Sequence, residues 1–78
     1  MLLSHYDPDP ETPARQKLDA ALARHMTVLG GIATVCYTSL LDAKELIDGQ
    51  TGSLPVKVRV DAWTARGLFY VGREGGLE

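Results

Sequence analysis

Sixteen consecutive uncharged residues, Met26 to Leu41, occupy the middle of the chain with Gly30-Gly31 near their centre. A run this apolar asks to be buried, and the residues on either side extend it at helical spacing. Leu18, Leu22, His25, Leu29, Ile32, Cys36, Leu40, Ala43 and Ile47 follow one another at intervals of three or four. That is the period of a helix and not of a strand. The extra four between Cys36 and Leu40 interrupts an otherwise regular heptad seam. Met26, Gly30, Ala33, Tyr37 and Leu41 make a second line, so such a helix would be apolar or small nearly all round, as for an element with neighbours on several sides.

The spacing predicts a helix over 13–48, opened by Thr12 as N-cap with Pro13 behind it and closed by Gly49. Gly30-Gly31 would cost it roughly 2 kcal/mol relative to two alanines. Unbroken, it would be about 54 Å long at 1.5 Å per residue, whereas a compact chain of this length has a radius of gyration of only about 11–12 Å. Either the chain folds back at the glycines or a second copy covers the seam. The heptad phase passes through the glycines without slipping, and two residues is short for a helical hairpin. The expectation is therefore a long helix, kinked at Gly30-Gly31 if anywhere, in a homodimer whose core is Leu22, His25, Leu29, Ile32, Cys36 and Leu40.

The remainder reads as one small α+β domain. Residues 1–12, with Asp7-Pro-Asp-Pro-Glu-Thr, form an extended or disordered lead-in. From Leu54 the period changes to two: Val56, Val58 and Val60 alternate with Lys57, Arg59 and Asp61, the pattern of a half-buried strand. Thr64-Ala-Arg-Gly67 reads as a tight turn and Leu68-Phe-Tyr-Val71 as the returning partner strand, giving a C-terminal β-hairpin. A short helix over 61–70, capped by Asp61, is the alternative, with Gly67 against it. The domain spans 13–72, and 73–78 is expected to be a flexible tail.

At 78 residues the chain is one domain, at a size where a single core barely suffices. Its 45% hydrophobic and 23% charged residues suit a globular protein rather than a disordered one. The net charge of −2 supplies no global pull toward nucleic acid or anionic membrane. A single cysteine rules out an intrachain disulfide framework and suits a reducing compartment. The N-terminus lacks the basic start and apolar run of a signal peptide, and the uncharged run falls short of the ~20 residues of a membrane span. A cytoplasmic protein is expected, with no membrane partner. Arginine outnumbers lysine and alanine and glycine are frequent, a composition found in GC-rich bacterial and phage genomes.

Chemistry is sparsely represented. Metal sites need His, Cys or carboxylate ligands at short spacing, and His25 and Cys36 are separated by about 16 Å of helix. Cys36, between Ile32 and Leu40, reads as a small hydrophobe and not as a nucleophile. His25 reads as a histidine at the core margin, and Asp42 and Glu45 as solvated helix surface. No glycine-rich loop precedes a helix in a way that would cradle phosphate. No catalytic residue, cofactor site or metal site is expected.

The most suggestive surface is the strand region. Lys57, Arg59, Trp63, Arg66 and Tyr70 combine basic and aromatic types that are enriched at protein interface hot spots. The reading is a small non-enzymatic module, an inhibitor, adaptor or regulator, that binds another protein through these residues. The alternative is a nucleic-acid-binding regulator using the same basic and aromatic face.

Overall fold

The computed structural model describes residues 2–49 and 53–73. Residues 74–78 of the expected tail lie outside them. In chain order the elements are β1 (Leu2–Tyr6), α1 (Ala14–Val28), β2 (Val35–Thr38), α2 (Leu40–Asp48), β3 (Lys57–Val60) and β4 (Leu68–Gly72).

The single long helix does not form. Gly30 and Gly31 both adopt positive φ, 74° and 84°, a left-handed conformation in which the right-handed helix cannot continue. Helix α1 therefore ends at Val28, with Leu29 as its C-cap. Beyond the glycines, Thr34-Val-Cys-Tyr-Thr is rich in β-branched and aromatic residues, which fit a pleated surface better than a helix. This part of the uncharged run becomes β2. Helix α2 then starts afresh at Ser39, whose Oγ accepts the Asp42 N–H, an N-cap of the usual chemistry.

The C-terminal strands are present, but they are not a hairpin. The sheet order is β1-β4-β2-β3. Strand β3 runs parallel to β2, with Cys36 opposite Val58, and β4 lies antiparallel between β1 and β2. Two units of the strand–helix–parallel strand kind result. In β1-α1-β2 the last strand slots between the two parallel ones, and in β2-α2-β3 the parallel strands are adjacent. The lead-in supplies edge strand β1.

Both helices lie over one face of this sheet. Ala14, Leu18 and Ala21 of α1 and Leu46 of α2 pack with Cys36, Phe69 and Val71 in one buried cluster, with Leu3 and Val58 at its margin. Registry explains the set: Leu3, Val71, Cys36 and Val58 lie in one row across all four strands, and so point to one side. The greatest extent of the molecule is 31 Å, well short of the continuous helix. Its accessible surface of 4966 Å² is close to the roughly 4,700 Å² of a compact monomer of this mass. A homodimer is required only by a helix too long to bury alone. With that helix split into two that close over their own sheet, nothing shows dimerisation.

The residues expected in a dimer core are correspondingly dispersed. Cys36 is buried in β2, His25 is buried on α1 with Nδ1 3.2 Å from the Gly31 carbonyl, and Leu22 is half-buried on α1. Leu29 and Ile32 are exposed in the glycine connection, and Leu40 is exposed at the start of α2. They do not form one seam.

Candidate functional site

The sheet face turned away from the helices carries Leu2, Ser4 and Tyr6 of β1, Leu68 and Tyr70 of β4, Val35 and Tyr37 of β2, and Lys57 and Arg59 of β3. Val35, at one end, is itself buried, whereas Tyr37 and Tyr70 are only partly covered and Tyr6 is 60% exposed. Tyr37 and Tyr70 sit directly opposite each other on the two central strands, where cross-strand side chains meet.

The connection after β3 shapes a cleft over this pair. Asp61 N donates to the Thr38 carbonyl at 2.9 Å, extending the β2–β3 contact by one residue. Its Oδ1 then accepts the Trp63 N–H at 3.1 Å and its carbonyl accepts the Thr64 N–H at 3.1 Å. This side-chain-to-backbone closure is what aspartate does in turns. It leaves the Trp63 side chain 95% exposed. The cleft, of about 350 Å³, is lined by Leu2, Tyr37, Asp61, Trp63, Thr64 and Tyr70. Thr64 is only 9% exposed and its Oγ1 is buried without a hydrogen-bond partner, an expensive state for a hydroxyl in a folded protein. A more apolar groove of about 280 Å³ lies elsewhere, between Met26, Ile32 and Pro55.

A second polar cluster sits where α2 begins. Asp42 is buried. Its Oδ2 accepts from Ser39 Oγ at 2.9 Å and from Gly67 N at 2.7 Å, and its Oδ1 lies 3.8 Å from Arg66 Nε. Glu45 receives Arg66 Nη2 at 3.5 Å on one oxygen and the Ala14 N–H at 2.6 Å on the other. Glu45 thus satisfies a backbone donor at the start of α1, where Pro13 offers no side-chain cap. Asp42 is not the solvated helix surface expected of it, whereas Glu45 is exposed as expected and still accepts the Ala14 N–H. Asp42 and Glu45 tie α2 to α1 and to the loop before β4.

Of the five residues expected on one recognition surface, the structure brings Trp63 and Tyr70 together in the cleft. Arg59 lies opposite Tyr37 on the same face, and Lys57 lies opposite Val35 farther along it. Arg66 is not with them: its guanidinium reaches Asp42 and Glu45 of α2. Tyr37, Leu2, Asp61 and Thr64 complete the cleft and were not anticipated. Tyr37 was hidden by its assignment to a helix, and Leu2 by its place in the lead-in.

Neither a family model, nor a curated protein, nor a solved structure matches the chain. The Cys36 thiol is pushed up from its ordinary 9.0 to about 12, chiefly by burial and then by the charge of Asp42. It is held as the unreactive thiol. Among the described residues no group of three or more His, Cys, Asp or Glu could hold a metal ion. No helix among them is long and apolar enough to cross a membrane.

Proposed function

We propose that this chain is a small non-enzymatic module that binds another protein through the open sheet face, with Trp63 as its anchor over Tyr37 and Tyr70. The observation that carries the reading is the 95% exposure of Trp63 at the rim of a cleft floored by aromatic side chains. An indole left in water forgoes on the order of 3 kcal/mol of transfer free energy. The Asp61 turn presents it outward when two tyrosines stand beside it. Aromatic anchors beside a desolvated pocket are where interface energy concentrates. The Asp61 carboxylate in the cleft and the net charge of −2 favour a protein surface over a phosphate backbone.

Arg59 beside the central Tyr37–Tyr70 pair favours a second reading, a single-stranded nucleic acid stacked on the tyrosines. Salt separates the two. Nucleic-acid binding weakens steeply and linearly in the logarithm of salt concentration, whereas a protein complex held by Trp63 should change little. Capture of one protein that survives nuclease and is lost on Trp63→Ala supports the module. Capture unaffected by Trp63→Ala removes Trp63 as the anchor.

A further inference from the structure

Among the described residues, the cleft beside Trp63 is lined by three aromatic side chains, Tyr37, Trp63 and Tyr70, and by one charged group, the Asp61 carboxylate. Arg59, opposite Tyr37 on β3, is not part of the lining. Aromatic rings carry negative charge on their faces, so rings and a carboxylate together make a surface that attracts cations. Asp61 has acceptor capacity beyond its turn: its Oδ1 takes the Trp63 N–H at 3.1 Å, and a carboxylate offers about four acceptor positions.

Thr64 adds an independent sign of a missing donor. It is 9% exposed, lines the same cleft, and its Oγ1 is the buried side-chain polar atom left without a partner among the described residues. Such an unmade hydrogen bond weakens the free chain. A donor seated in the cleft, met by a turn of the Thr64 side chain, removes that cost.

We propose that the occupant of this cleft is an arginine side chain of the partner protein, an inference that rests on reading the open sheet face as a protein-binding surface. The guanidinium donates to the Asp61 carboxylate and to Thr64 Oγ1 and stacks against the aromatic rings, while its aliphatic stem runs along Leu2. Arginine suits the site better than lysine. Its planar group carries five donors and is weakly hydrated, so it serves two acceptors and a ring face at once, whereas an ammonium is compact and holds its water. The indole, 95% exposed in the free chain, gains cover when the cation seats beside it.

Trp63 is the only tryptophan of the chain, so its fluorescence reports the cleft. The test titrates the full chain with Nα-acetyl-arginine amide at constant ionic strength, with the lysine and citrulline analogues alongside. Citrulline keeps the shape of arginine and loses its charge. The expected result is a saturable change in emission with arginine, at a dissociation constant on the order of 10 mM. Lysine should bind about threefold more weakly or worse, and citrulline not at all. Asp61→Asn keeps an oxygen for the Trp63 N–H and should weaken arginine by roughly fivefold. Thr64→Val should weaken it by about threefold without lowering the melting temperature, a combination that a merely structural threonine would not give. Equal responses to arginine and citrulline, or undiminished affinity in folded Asp61→Asn, overturn the cation site. The two readings fail separately. Partner capture that is lost on Trp63→Ala, yet competed no better by arginine amide than by citrulline amide, keeps the protein-binding surface and removes arginine from the cleft.

Discussion

Asp42 Oδ2 accepts the Gly67 N–H at 2.7 Å, joining the first turn of α2 to the loop that feeds β4, 25 residues later. With the Ser39 hydroxyl on the same oxygen and Arg66 near the other, this carboxylate is the bolt between the helical layer and the last strand. Asp42→Ala would strand the Gly67 donor and remove the partner of Ser39. It should lower stability by about 2–4 kcal/mol, read as a drop in the urea midpoint with the slope unchanged.

Gly67 should be irreplaceable for a different reason. At φ 87° an added Cβ would stand 2.5 Å from the Asp7 carbonyl oxygen, and the backbone there cannot retreat because Asp7 N donates to Gly67 O at 2.9 Å. Gly30 has a similar φ of 74° with nothing within 4 Å of an added Cβ. Gly30→Ala should therefore cost about 1 kcal/mol from conformation alone, and Gly67→Ala clearly more. Paired thermal melts check it; equal losses would contradict the packing around Asp7.

Cys36 makes the stability depend on alkaline pH. Burial and the Asp42 charge raise its thiol from 9.0 to about 12, so between these values the folded chain keeps a proton that the unfolded chain releases. The contribution is fully present below pH 9 and lost as pH rises toward 12, at roughly 1 kcal/mol per unit. Cys36→Ala should flatten this dependence in urea titrations, and native Cys36 should resist alkylation at pH 8 until the chain is unfolded.

The strands at 57–60 and 68–72 were legible because residues such as Val58 and Phe69 alternate with outward neighbours or sit in short apolar runs. Their partners were not legible, since parallel pairing of β3 with β2 depends on a crossover helix that the helical spacing had absorbed. Val35-Cys36 is buried on both sides, so β2 lacks the alternation that marks a half-exposed strand. The signal that could have placed the break was Ser39-Leu-Leu-Asp42, a serine N-cap with an acid three residues on. Trp63 and Tyr70 were recognisable as interface types. Arg66 was not separable from them, because only the fold shows that the Gly67 turn delivers it to α2.

Trp63 touches little, so removing it should leave the fold alone. Trp63→Ala should shift the melting temperature by no more than the equivalent of about 0.5 kcal/mol, whereas Tyr70→Ala, half-buried on a central strand, should destabilise measurably. A large loss of stability in Trp63→Ala would show that the indole packs on the sheet rather than standing free for a partner.

The most direct measurement is a side-by-side capture from native-host lysate by tagged wild type and Trp63→Ala, with nuclease present and circular dichroism confirming equal folding. The account predicts one stoichiometric protein on the wild type that is absent from the variant and indifferent to moderate salt. Equal capture by both chains, or a catch that nuclease abolishes, would contradict protein recognition through the Trp63 cleft.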